Sequence, residues 1–456
     1  MKFLHISDIH IGKRVCGFSM LEDQRYILEQ IVEIAKREQP DGVLIAGDLY
    51  DKAMPSAEAV ELADEFLYRF VELGIPVWVI SGNHDCAERI AYGSRMMEQA
   101  GLYMARVFDG KLQRYTVMRE GGVCRVQAGE MAEEPDEMSA RTGVLSEKFQ
   151  VMVSKTDRKS VGTEAISEKM FAGTVKMDAD ELDTGVVGAP GIRTASEAVD
   201  IYLLPFVRPA QVRRFFPDQT IETTQQAVDA ILAGVKPDRS RVSILVMHQF
   251  LAGAAVCDSE ELSVGGSDQV AVSSVAAFDY VALGHLHRPQ RVGRETVRYC
   301  GSPLKYSFSE AGHTKSVTIV ETVAAAECAD WNRRPRVRVR TVPLHARLDL
   351  REIRGPIARL LSPEVYREVN VRDYLHVTLT DEHEVLDAIG RLREVYPNIM
   401  RLDFETRGAE ALTEEAILIE EKTPQELFEE FFERQNGHPM SEEQRALAAG
   451  IWTASV

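Results

Sequence analysis

Residues 43–51 read VLIAGDLYD: four apolar residues, a glycine, and two aspartates three positions apart, Asp48 and Asp51. A short, unbroken run rich in Val, Leu and Ile reads as a buried strand. The Gly-Asp that closes it sets a carboxylate where the chain leaves the sheet. Upstream, FLHIS (residues 3–7) reads as a second such strand and runs into Asp8 and His10. Between the two, Leu21 to Glu38 places Ile27, Ile31, Val32 and Ile34 at helical spacing. Downstream, Ser56 is suited to cap a helix reaching Leu73, with Val60, Leu62, Phe66, Leu67 and Phe70 as its stripe, and VWVIS (residues 77–81) is a third strand. Strand–helix–strand–helix–strand implies βαβ units with right-handed crossovers.

Further along, DIYLLPF (200–206), a helix over Thr223 to Ala233, SILVMH (243–248), YVALGH (280–285), RYCGS (298–302) and SVTIVE (316–321) continue the pattern. From about 120 to 195 it fades into polar stretches such as AEEPDEMSA and SKTDRKSVGTE, an expected insertion within a first domain spanning 1–325. RVRVRTVPL, from Arg336, alternates strictly and reads as a strand with Arg336, Arg338 and Arg340 on one face, either solvated or contacting phosphate. It opens an expected α+β domain over 336–408, with a helix near Ile353 to Leu361, the strand YLHVTLT, a helix near Glu384 to Val395 and the strand IMRLDFE. The remainder, 412–456, reads as an acidic tail of two helical pieces.

Composition excludes several classes. The 456 residues are 45% hydrophobic and 27% charged, so a sizeable core is available. A net charge of −18 argues against a DNA-coating protein, so any nucleic-acid binding would draw on cations or a partner. The six cysteines are scattered without a CxxC pair, which points to a reducing compartment. Neither a secretory apolar stretch near Met1 nor a run of about 18 apolar residues elsewhere is found, so a cytoplasmic location is expected. No GxxxxGK[ST] loop occurs, so ATP binding is not expected of this chain itself.

Five motifs end or follow the strands: SDIH (Asp8, His10), GDLYD (Asp48, Asp51), GNHD (Asn83, His84, Asp85), MHQ (His248) and GHLH (His285, His287). In open α/β sheets, ligands bind beyond the carboxyl ends of strands, so these motifs can share one edge. Carboxylate, amide and imidazole donors without thiolate suit Mn²⁺ or Fe²⁺, and seven donors exceed one four-coordinate ion. Taken singly, a strand-end histidine is more often a packed imidazole than a ligand; His5 is such a case. Their joint occurrence in this order carries the argument.

The set resembles the calcineurin-like metallophosphoesterase superfamily over most of the first 310 residues. The resemblance implies a β-sandwich flanked by helices, with two divalent metal ions, Mn²⁺ foremost. Asp8, His10, Asp48 and His287 would hold one ion, and Asp48, Asn83, His248 and His285 the other, with Asp48 shared. His84 would face the scissile phosphate and assist the leaving oxygen, with Asp51 expected to hold His84 in place. GDLYDKAMPS, FDYVALGHLHRPQ and YCGSPLKYSFSE resemble the bacterial SbcD family of nuclease subunits. That likeness implies an SbcC-like SMC-type ATPase partner in a two-plus-two assembly and ATP bound through that partner. It also implies action on DNA ends and hairpins, a capping role for the α+β domain, and docking of the partner by the tail through Leu427, Phe428, Phe431 and Phe432. A small-molecule phosphodiesterase or nucleotidase of the same superfamily is the alternative, separable by turnover of mononucleotides without a partner.

Overall fold

In a computed structural model of the protein the described residues are 1–120, 123–129, 197–258, 260, 268–323, 336–383, 385–405 and scattered positions between 428 and 448. They fall into two compact units, Met1–Leu350 and Arg351–Val456. In chain order the first unit contains β1 (Lys2–Ile6), α1 (Leu21–Glu38), β2 (Gly42–Ala46), α2 (Ala57–Glu72), β3 (Val77–Ile80), β4 (Leu102–Met104), β5 (Gln113–Glu120), β6 (Val123–Gly129) and β7 (Glu197–Leu204). It continues with α3 (Thr224–Ala233), β8 (Val242–His248), β9 (Tyr280–Gly284), β10 (Gln290–Val292), β11 (Arg294–Tyr299), β12 (Ser316–Thr322) and β13 (Val337–Pro343).

Two mixed sheets form a sandwich. One runs β13-β12-β1-β2-β3-β4 and the other β10-β11-β9-β8-β7-β5-β6. β1 to β4 are parallel, as are β7, β8, β9 and β11. Strand alternation explains the layers. Ile244 and Val246 of β8 join Phe3, Leu44, Trp78 and Ile80 of the facing sheet in one buried cluster. Leu245 and Met247, pointing the other way, pack with Val228 and Ile231 of α3. The helix starts follow from capping: Ser56 Oγ accepts from Ala59 N, and Thr223 with Gln226 forms a reciprocal capping box before α3.

Three expectations are corrected here. The strand after Arg336 does not open the second domain; β13 pairs along its length with β12 and completes the first sheet. Arg336 is not on a solvated face: it is 1% exposed and forks onto Asp279, while Arg338 and Arg340 remain exposed. In the second unit, Leu350–Gly355 is a strand, β14, and a helical turn begins only at Ile357. Pro356, extended at φ −65° and ψ 143°, sets that start. β15 (Tyr374–Leu379), α4 (Ala388–Arg393) and β16 (Ile399–Phe404) follow, with sheet order β14-β15-β16 and a core of Leu375, Val377, Leu392, Tyr396 and Ile399. Most of the expected insertion, and most of the tail with Leu427, lie outside the described residues. Among the described residues no helix is long and apolar enough to cross a membrane.

Candidate active site

The parallel strands of both sheets deliver their chemistry at one end of the sandwich. Asp8 and His10 follow β1, Asp48 follows β2, Asn83 and His84 follow β3, His248 ends β8, and His285 and His287 follow β9. Four of these residues are left-handed without being glycine: Asp8 (φ 51°), His10 (φ 50°), Asp48 (φ 51°) and His285 (φ 105°). Such backbone costs about 1–3 kcal/mol per residue and persists only where neighbours enforce it. The enforcing bonds run between strand ends: Asp8 N donates to Gly47 O (3.1 Å), His10 N to Asp48 O (2.9 Å) and His285 N to Asp8 Oδ1 (2.8 Å). Gly82 and Gly284 serve close approach rather than turning. A Cβ on Gly82 would lie 2.1 Å from Asp48 Oδ1, and one on Gly284 1.9 Å from Ala46 O.

The seven expected donors are brought together and, Asn83 apart, are buried. His248 Nδ1 faces Ala46 O at 2.8 Å, leaving Nε2 directed inward, 2.9 Å from Asn83 Oδ1 and 3.2 Å from Asp48 Oδ2. His285 turns Nδ1 to the same Asn83 oxygen at 2.9 Å. His10 Nε2 lies 3.1 Å from His287 Nε2 and 3.7 Å from Asp48 Oδ2. Ligand atoms of Asp8, His10 and His287 lie within 4.8 Å of one another, as do those of Asp8, Asp48 and His248 and those of His10, Asp48 and His84.

Ionisation in the site is a contest between burial and neighbouring charge. Burial opposes ionisation of Asp48, yet His248, with His10 and His84 beyond it, holds the carboxyl well below the usual range. Burial likewise opposes charge on His248, and Asp48 overrides it, raising the imidazole to about 9. His285 is pushed down to about 3 by burial and by His248, and burial raises Asp8. Buried carboxylates and converging imidazole nitrogens without thiolate fit hard divalent cations.

His84 stands half-buried at the rim. Its amide donates to Asp48 Oδ1 (2.9 Å), and its ring meets that of His10 edge-on at 4.7 Å. The expected side-chain pairing with Asp51 is corrected: His84 Nδ1 faces the Asp51 backbone carbonyl at 3.0 Å. The Asp51 carboxylate instead binds Lys13 Nζ at 2.7 Å and lies 3.7 Å from His10 Nδ1. The Asp51 amide donates to Ile11 O, and this pairing with the loop after β1 accompanies a carboxylate turned toward Lys13.

Several supporting residues were not assigned from sequence. Asp85 accepts from the amides of Gly82, Tyr50 and Leu49, locking the second and third motifs together; burial, then Asp48, raises it to about 6. Gln24 of α1 donates to His10 O (2.6 Å) and to Tyr306 Oη (3.0 Å), and Tyr306 in turn donates to Ile9 O. Glu310, fully buried, lies 3.4 Å from His287 Nδ1 and is paired with Lys315. His5, assigned no role, is a packed imidazole held by Tyr280 Oη and Leu283 O.

Comparison with known proteins adds to the geometry. Residues 1–125 match the calcineurin-like phosphoesterase family, and residues 347–436 match the type 5 capsule protein repressor C-terminal domain. The D subunit of the nuclease SbcCD from Staphylococcus epidermidis (strain ATCC 12228 / FDA PCI 1200) is 30% identical over 406 residues, covering 88% of this chain and 85% of that relative. Sandwich, strand-end donors and family match together define a calcineurin-like metallophosphoesterase, a metal-dependent phosphodiester hydrolase. Within that class, the chain belongs to the SbcD family of nuclease subunits.

Proposed function

We propose that this chain is the DNA-cutting subunit of an SbcCD-type complex, acting as an ATP-dependent 3′–5′ exonuclease on double-stranded ends and as an endonuclease on hairpins and single strands. The observation that carries the reading is the convergence of eight motif side chains from both sheets at one end of the sandwich, half-buried His84 among them. Asp8, His10, Asp48 and His287 would hold one divalent cation, and Asp48, Asn83, His248 and His285 the second. When bound, such a pair supplies Lewis acidity at the phosphate and a nucleophile near neutral pH; the donor set favours Mn²⁺.

The protein's own groups do the rest. With Nδ1–H donated to the Asp51 carbonyl, His84 is oriented so that Nε2 is free to serve the leaving sugar oxygen. Asp51 therefore acts through its backbone on His84 and through its carboxylate near His10 and Lys13. Asp85 holds the Gly82 amide, and with it the loop bearing Asn83.

The partner in this reading is an SbcC-like SMC-type ATPase, in a two-plus-two assembly in the bacterial cytoplasm at the nucleoid, with ATP bound by that partner alone. The named relative is a subunit of such a complex. Exposed Phe428 and Phe431, apolar side chains in an acidic tail, support docking through that tail.

The test is digestion of a labelled hairpin duplex with Mn²⁺, with and without the ATPase and ATP. Cleavage that requires Mn²⁺, rises with the ATPase and ATP, and drops about 10²–10⁴-fold in His84→Gln is expected. Undiminished cleavage by His84→Gln would remove its assigned role.

A further inference from the structure

One segment lines the same end of the sandwich without offering a candidate ligand. β7 ends at Leu204, and two residues later Phe206 N donates to Ser81 O at 2.9 Å, tying this segment to the loop that carries Asn83. The half-buried ring of Phe206 lies 6.4 Å from that of His285, nearly parallel at 22°, and meets His248 edge-on at 6.2 Å. The Arg208 guanidinium rests over the Phe206 ring, 5.7 Å from its centroid. Arg208 is exposed, and among the described residues no carboxylate is paired with it. Arg213 and Arg214, a few residues on, also lack an acidic partner among the described residues. In a chain of net charge −18, Arg25, Arg119, Arg241, Arg336 and Arg340 all carry acidic partners. What sets Arg208 apart from Arg213 and Arg214 is its place, over a ring that itself packs against two candidate ligands.

We propose that Phe206 and Arg208 form a backbone subsite on the His285 side of the centre, where Arg208 binds the phosphate next to the scissile one. A guanidinium presents a planar fork of N–H donors that matches two phosphate oxygens, and the ring beneath holds that fork in place. A nucleoside monophosphate or a small phosphodiester has no neighbouring phosphate to offer, so the subsite selects nucleic-acid strands over these. This deepens the nuclease reading and rests on it.

The experiment uses full-length, Mn²⁺-loaded protein hydrolysing bis(p-nitrophenyl) phosphate, with a single-stranded phosphorothioate oligonucleotide as competitor over a salt series. In Arg208→Ala the oligonucleotide inhibition constant rises about tenfold more than the small-diester KM. The slope of its logarithm against log salt falls by about 0.7, the signature of one lost phosphate contact on a single strand. Arg208→Lys restores the slope but only part of the affinity. If Arg208→Ala matches wild type in both oligonucleotide affinity and slope while wild-type protein cuts the hairpin, the subsite is wrong and the nuclease reading stands. If the oligonucleotide fails to compete with wild-type protein that turns over the small diester, the nuclease reading fails and the subsite with it.

Discussion

Gly82 is where a single methyl group decides the site. A Cβ there would press on Asp48 Oδ1 and on the Asp48 amide, 2.5 Å away, and backbone cannot yield as a flexible side chain would. Gly82→Ala is expected to displace Asp48, costing about 1–3 kcal/mol of stability and most of the Mn²⁺ affinity, read by thermal melting and calorimetric titration. Wild-type affinity in a folded variant would contradict the close approach. Asp85→Asn keeps one acceptor for three amides, so a loss of about 1–3 kcal/mol is expected on denaturant unfolding, with faster hydrogen exchange at Tyr50 and Gly82. The candidate ligands were legible because D-x-H, GD, GNHD and GH-x-H are local strings at strand ends. Asp85 was in view as part of GNHD, but its task depends on amides from another strand. Glu310 and Tyr306 stood in YCGSPLKYSFSE, which carried a family likeness only; their contacts reach His287 and Ile9, which no local pattern encodes.

At the scale of elements, β13 shows where periodicity stops being informative. Alternation in RVRVRTVPL correctly marks a strand but does not name its neighbour, because pairing with β12 is a matter of register between separated segments. Arg336, one residue before the strand, anchors it: the guanidinium forks onto Asp279 and also donates to Arg239 O and Arg241 O. Arg336→Met would leave Asp279 buried without its counter-charge, and a loss of about 3–5 kcal/mol is expected, measurable as a lower urea midpoint. Asp279→Asn in the same background should recover part of it. A midpoint within experimental error of wild type would show that the pair contributes little. Residues 353–355 were misread for a related reason: Ile353 stands at helical spacing from Ile357 and Leu360, yet Pro356 rather than the stripe sets where helix begins.

At the scale of the whole molecule, the first unit gathers buried carboxylates and imidazoles at one end of its sandwich, so cation binding and folding are linked. At a hundredfold excess over its dissociation constant, Mn²⁺ should stabilise the protein by about 2.7 kcal/mol. The melting temperature should rise by several degrees, EDTA should reverse the rise, and Asp48→Asn should abolish it. An increase retained in Asp48→Asn would place the ion elsewhere.

The central position of β1 has a consequence for how the chain is made. Lys2 pairs with Glu321 and Phe3 with Val320, so on the ribosome β1 emerges long before the strand that closes its flank. At about 5–20 residues per second the wait is roughly 15–65 s, during which an apolar strand edge stands open in the nascent polypeptide. Chains stalled before residue 316 should remain protease-sensitive, and protection should arrive only once β12 has emerged from the exit tunnel.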